Sequence, residues 1–234
     1  MNYLIITAGG NGNRMKLINN KIFVTLINKP LIYWTLKIFE NNQTIDKIII
    51  SGRKNDIKKI NLIIKKHHFN KVLTIIEANQ SRQESVFTVL KWLKSKAGKN
   101  DLIGIHNAVN PFVSNKEIVE VYQAAKKYRA ALLAYAAKDT VKISNKDNLV
   151  EFTPKRLFSW YAQTPQVANF SDLWEAFTKA GKDKFAGTDD TQLLERTGIK
   201  AKIVPCSYLN FKITYPEDLI LAKEVSKVFF HKNV

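Results

Sequence analysis

The segment Tyr3-Leu4-Ile5-Ile6-Thr7-Ala8-Gly9-Gly10-Asn11-Gly12-Asn13-Arg14-Met15 starts as an apolar, β-branched run and breaks at once into glycines. A strand that runs straight into a glycine-rich turn is the leading element of a doubly wound α/β sheet, where phosphates bind at the strand's carboxyl end. Glycine lets the backbone come close to an oxyanion and aim several N–H groups at it, and Arg14 can add a charge-assisted bidentate contact. Neither of the two best-known phosphate loops is present. The dinucleotide fingerprint needs a third glycine where Met15 stands, and the Walker loop needs Gly-Lys-Ser/Thr. By itself the turn fits an anion site and a tight structural turn about equally.

Downstream, short β-branched runs alternate with helical patterns, the mark of βαβ units and a mostly parallel sheet with helices on both faces. Strands are expected over 3–7, 47–51, 72–76, 102–106, 131–136 and 202–206, with helices between them. Ser81 with Glu84, Ser114 with Glu117, and Thr214 with Glu217 each read as a capping box at a helix start, the last with Pro216 in its first turn. Between Asp139 and Tyr161 the helical pattern lapses, and Asn145-Lys146-Asp147-Asn148 and Pro154 predict two strands around a turn projecting from the sheet. The expectation is one Rossmann-like α/β domain over 1–234 carrying a β-arm over 139–161.

Composition agrees with a globular chain. Of 234 residues, 45% are hydrophobic and 24% charged, and only 9 Gly and 6 Pro occur, which excludes collagen-like, disordered and low-complexity classes. The single cysteine, Cys206, rules out an internal disulfide and a cysteine-based zinc site. Met1-Asn2-Tyr3 lacks a basic leader region, and the longest apolar stretch, 130–137, is far below the roughly 18 to 20 residues of a membrane span. A soluble, cytoplasmic protein without a membrane partner is expected. The net charge of +17 raises nucleic acid, an anionic surface or a polyphosphate as partners. Only six of the 37 cations are arginine, and the lysines are scattered over helical segments, so the charge reads as a solvated surface before a nucleic-acid face.

Seven motifs occur in one order: Ala8-Gly9-Gly10-x-Gly12-x-Arg14-Met15 with Lys21; Arg82 and Ser85; His106-x-Ala108-x-x-Pro111-Phe112; Asp139-Thr140-x-Lys142; Gln163-Thr164-Pro165-Gln166; Thr188-Asp189-Asp190; and Asn210-x-Lys212-x-Thr214-x-Pro216-Glu217-Asp218-Leu219. Together they resemble the 2-C-methyl-D-erythritol 4-phosphate cytidylyltransferases and the related ribitol-5-phosphate cytidylyltransferases, over Leu4 to Ala222. The resemblance implies transfer of CMP from CTP, with Mg2+, to a sugar-alcohol phosphate and release of pyrophosphate. The nucleophile is then already an anionic phosphate oxygen, so catalysis reduces to aligning two anions and neutralising charge at phosphorus, and no Ser-His-Asp set is needed.

The same resemblance implies roles. Arg14 and Lys21 would grip the triphosphate, and Lys212 would reach the α-phosphate. Ala8, Gly9, Gly10 and Gly12 would cradle phosphates and cytosine, with Ser85 holding the base. Thr140, Arg156, Thr164 and Thr188 would bind the acceptor. Thr140 and Arg156, on the arm, would enter the site of a second subunit, which implies a homodimer. No metal ligands are assigned.

One segment departs from the pattern. Relatives usually read His-Asp-Ala-x-Arg-Pro-Phe, and this chain has Asn107 and Asn110 at the acidic and basic positions. Losing both charges together reads as a compensated pair, because losing one would leave the other unpartnered. The change is compatible with an altered acceptor and with a nucleotide-binding relative that lacks turnover.

Overall fold

The computed structural model describes residues 1–10 and 20–233. Gly12 and Arg14 lie outside the described residues. Eleven strands and seven helices are described in chain order: β1 (Asn2–Ala8), β2 (Thr25–Leu26), β3 (Lys29–Pro30), α1 (Leu31–Asn41), β4 (Lys47–Gly52), α2 (Ile57–His67), β5 (Val72–Glu77), α3 (Arg82–Leu93), β6 (Leu102–Asn107), α4 (Asn115–Tyr128), β7 (Ala130–Ala136), β8 (Ile143–Ser144), β9 (Val150–Phe152), β10 (Trp160–Asn169), α5 (Phe170–Lys182), α6 (Asp190–Glu195), β11 (Lys202–Pro205) and α7 (Pro216–Asn233).

Seven strands form one sheet in the order β11-β7-β10-β6-β1-β4-β5. Pairings of β1 with β4 and β6, β4 with β5, and β7 with β11 are parallel, whereas β10 runs antiparallel to both β6 and β7. The expected mostly parallel α/β fold is what forms. Alternate residues of β1 feed two cores: Leu4 and Ile6 pack with α1, α4 and α7, while Tyr3 and Ile5 pack with α3, α5 and α6. A strand buried on both faces must be apolar at every position, hence Tyr3-Leu4-Ile5-Ile6. Gly104 of β6 leaves room for Tyr122, whose hydroxyl donates to the Tyr3 carbonyl at 2.7 Å; a Cβ there would lie within 2.1 Å of that oxygen.

The six expected strands form within a residue at each end. The central strand β10 was not expected, because Pro165 sits inside it and proline cannot donate to a ladder. The chain accommodates it by breaking the β7 register between Ala162 and Gln166, where the missing N–H costs no pairing. Ser81–Glu84 and Ser114–Glu117 form reciprocal capping boxes. Thr214–Glu217 does not. Asp218 takes that role, its Oδ2 accepting the N–H groups of Thr214 at 2.7 Å and Tyr215 at 2.8 Å. Pro216 opens α7 one residue later than expected, at the position where its missing N–H is harmless.

β8 and β9 form the arm hairpin, closed by Asn145, whose Oδ1 accepts from the N–H groups of Asp147 at 2.9 Å and Leu149 at 3.0 Å. The turn is the Asn-Lys-Asp-Asn sequence read for it. Val150, Phe152, Leu157 and Phe158 are all exposed.

Candidate active site

A cleft of about 320 Å³ lies across the carboxyl ends of β1 and β6, bounded by the loop before α3 and the segment before α7. The floor is Ala8-Gly9-Gly10. Gly9 is required there by space: a Cβ on it would sit 2.5 Å from the Ala78 Cβ, so the end of β1 packs directly on the loop after β5. Asn20 is tied to the end of β1, donating to the Ala8 carbonyl at 3.1 Å and to buried Asp56 at 2.8 Å, while its Oδ1 caps the turn beginning at Lys21.

Two lysines reach the cleft. Lys21 is only 8% exposed and its Nζ donates to the Ile213 carbonyl at 3.3 Å, which joins the amino-terminal turn to the segment before α7. Lys212 lines the same cleft between half-buried Phe211 and fully buried Ile213, and is itself exposed. Ser85 is buried, and its hydroxyl donates to the Ser81 carbonyl at 2.7 Å and accepts the Asn79 N–H at 2.9 Å. Its structural work is to shape the 79–81 loop, which forms one wall.

At the carboxyl end of β6, where Asn107 lines the cleft, Asn107, Asn110, His106 and Thr164 close a hydrogen-bonded ring. The Asn110 carbonyl can only accept, so His106 Nε2, 3.0 Å away, carries the proton and Nδ1 is the acceptor for the Thr164 hydroxyl at 2.9 Å. Thr164 Oγ1 then accepts from Asn107 Nδ2 at 3.3 Å, and the same amide reaches Asn110 Oδ1 at 3.2 Å. Asn210 holds the Thr164 carbonyl at 3.0 Å. Among the described residues Asn110 Nδ2 and Asn210 Oδ1, both buried, have no partner.

Burial drives the His106 pKa down to about 4, against opposing hydrogen bonds from Asn110 and Thr164, and the charged Arg82 adds to the depression. A histidine held neutral in the fold contributes stability above its unfolded pKa of about 6.5 that is lost as pH falls toward the folded value. Between pH 7 and pH 5, wild type should therefore lose about 2 kcal/mol more than His106→Gln in urea unfolding. Parallel pH dependence of the two would refute the buried neutral ring.

The structure thus brings Ala8, Gly9, Gly10, Lys21, Ser85, Asn107 and Lys212 into one cleft, with Thr164 and Asn110 just behind Asn107. It does not bring Thr140, Arg156 or Thr188 there. Thr140 and Arg156 are exposed on the arm, Arg156 donating to the Lys138 carbonyl at 3.4 Å, and Thr188 lines a second cleft between α6 and the β7–β10–β11 edge. Sequence reading assigned no role to Arg82, which lines the main cleft and pairs bidentately with buried Asp190. The three-residue spacing of Arg82 and Ser85 is visible in the sequence; the acidic partner of Arg82, 108 residues away, is not.

Cys206 is partly buried and its thiol is pushed up to about 12 by desolvation, with Glu117 adding to the rise, so it is inert as a nucleophile. His67 is half-buried and packs its ring against Tyr33 at 4.6 Å. No group of three His, Cys, Asp or Glu converges among the described residues, and the cleft wall carries the Asn107 carboxamide where relatives usually place a carboxylate. Among the described residues these groups do not build a magnesium site of their own. Among the described residues no helix is long and apolar enough to cross a membrane.

A mostly parallel sheet with a glycine-floored, lysine-lined cleft over its strand ends defines an α/β protein of the nucleotidyltransferase kind. Residues 2–227 match the family model described as 2-C-methyl-D-erythritol 4-phosphate cytidylyltransferase. A relative of that name from Clostridium acetobutylicum is 37% identical over 228 residues, covering 97% of this chain and 98% of its own. Another from Caldanaerobacter subterraneus is 34% identical over 221 residues, covering 94% and 96%. The crystal structure of 4-diphosphocytidyl-2C-methyl-D-erythritol synthase from Anaerococcus prevotii superposes with a TM-score of 0.83 at 31% identity, covering 97% and 96%. The chain belongs to the 2-C-methyl-D-erythritol 4-phosphate cytidylyltransferase family.

Proposed function

We propose that this chain transfers CMP from CTP to 2-C-methyl-D-erythritol 4-phosphate. An oxygen of the acceptor phosphate attacks the α-phosphorus of CTP, the bond to the β-phosphate oxygen breaks, and pyrophosphate leaves. The observation that carries this reading is the convergence of Lys21 and Lys212 over the Ala8-Gly9-Gly10 floor. Backbone N–H groups and two ammonium groups in one cleft suit a polyphosphate whose charge increases at phosphorus during attack. The names of the matched relatives favour methylerythritol phosphate over ribitol 5-phosphate as acceptor. Pyrophosphate release from CTP, assayed with each alcohol phosphate, tests the reading. Release dependent on methylerythritol phosphate is expected; CTP binding with no release with either acceptor would favour the non-catalytic alternative.

The acceptor site is proposed to be shared between two copies of the chain. A two-stranded hairpin is marginal alone, and an exposed apolar set such as Val150, Phe152, Leu157 and Phe158 marks an interface. Thr140 and Arg156 stand on that arm, away from their own cleft. Mixing inactive Arg156→Ala and Lys212→Ala subunits should therefore restore part of the activity, since a mixed dimer would hold one intact site. Absence of recovery despite demonstrated subunit exchange would refute sharing.

A further inference from the structure

The first turn of α3 faces two ways. Its Ser81 cap and Gln80 line the nucleotide cleft, and so does Arg82. From the same turn, the Arg82 guanidinium donates Nη1 to Asp190 Oδ1 at 2.8 Å and Nη2 to Oδ2 at 2.6 Å. The Asp190 residue is 2% exposed and opens α6. Gln83 reaches the segment in front of that helix, donating Nε2 to the Phe185 carbonyl at 3.0 Å and accepting the Gly187 N–H at 2.9 Å.

In the segment 183–189, which carries Thr188, Phe185 packs on the core shared by α3, α5 and α6, while 183, 184, 186 and 188 are exposed. Past that one apolar anchor, polar ties to neighbouring elements hold the segment. On the sheet side Gln166 accepts the Asp190 and Thr191 N–H groups at 3.0 and 3.1 Å, so α6 is fixed at its start and the segment hangs between that point and α3. A bidentate arginine–carboxylate pair with one partner buried is a stiff link, because both N–H···O bonds must be kept to satisfy the carboxylate.

We propose that the first turn of α3 ties the nucleotide cleft to the segment 183–189, with Arg82 and Gln83 as positioning residues, so that a nucleotide in the cleft fixes the pose of Thr188. This rests on the CTP reading above. Only two of the five guanidinium N–H donors are bonded to Asp190, and an anionic ligand entering the cleft meets the same cation. Holding Arg82 from the cleft side narrows the positions open to Asp190, and with it to the segment.

Amide hydrogen exchange of the wild type, Asp190→Asn and Gln83→Ala, each with and without CTP, tests this. CTP should slow exchange at 185–188 of wild type by about tenfold, and that slowing should vanish in Asp190→Asn, while the Kd for CTP stays within about threefold. The KM for the acceptor should rise about tenfold with kcat within about threefold, as expected when acceptor positioning and not chemistry is lost. Gln83→Ala, which leaves the buried ion pair intact, should lose the protection of the Gly187 amide in the same way. Equal slowing in all three proteins, or none in wild type with CTP bound, overturns the coupling and leaves the CTP reading standing. If wild type does not bind CTP, that reading falls. Faster Gly187 exchange in both ligand-free variants would then support the tie, and unchanged exchange would overturn it.

Discussion

Replacing Lys21 by alanine is expected to lower turnover with CTP by about 100-fold or more while leaving the fold in place. The ammonium is nearly enclosed, so its attraction to a phosphate is weakly screened, and its hydrogen bond to the Ile213 carbonyl holds it at the cleft beside Lys212. The contact strengthens as charge gathers on the α-phosphorus, which places the loss mainly in kcat. In the ligand-free protein the same group is a poorly solvated cation, so its removal should shift Tm by no more than a few degrees. By resemblance Arg14→Ala should behave alike. Pyrophosphate release and thermal melts on both variants check this, and a rate near wild type in both would remove the assignment of the triphosphate site.

The second large effect concerns Asn107. The ring fixes its amide as a donor: the Thr164 proton is committed to His106 Nδ1, so Thr164 Oγ1 and Asn110 Oδ1 both present lone pairs to position 107. Asn107→Asp would turn an acceptor toward two acceptors, and kcat/KM for the acceptor should fall about 10- to 100-fold. Asn110→Arg alone would bury an uncompensated guanidinium where Asn110 is 0% exposed. Combined, the two should partner each other, giving a coupling of about 1–3 kcal/mol in kcat/KM and an activity above either single variant. Additivity of the singles to within about 0.5 kcal/mol would show that the positions are independent and that this segment does not tune the acceptor.

The parts of the fold legible in the sequence were those with a strong local cause. The double-sided burial of β1, the capping boxes at Ser81 and Ser114, and the Asn145 turn each declare themselves within a few residues. β10 could not be read, because Pro165 argues against a strand locally and only the break in the β7 register makes room for it. At Thr214 the box pattern was present and lost to Asp218, one residue beyond Glu217, which captures two N–H groups at once. For the site, ordered motifs pointed to Lys21, Lys212, Ser85, Gly9 and Gly10, and the cleft assembles them. The ring around His106 was beyond reach: Asn107 and Asn110 were noticed as a pair, but Thr164 joins them from 57 residues away. Ser85 shows the complementary limit, since spacing located it and only the structure reveals that its hydroxyl is spent on the 79–81 loop.

Between the end of β1 and the loop after β5 there is space for one methyl group, and Ala78 supplies it. The two positions therefore share a single allotment of volume: alanine at 9 calls for glycine at 78, and the exchange of the two leaves the gap filled. Alanine at both would wedge the strand end away from the loop and spread the cleft floor. Members of this lineage should accordingly vary at these sites in opposite senses, and an alanine placed at position 9 of this chain should be tolerated only when Ala78 is cut back with it.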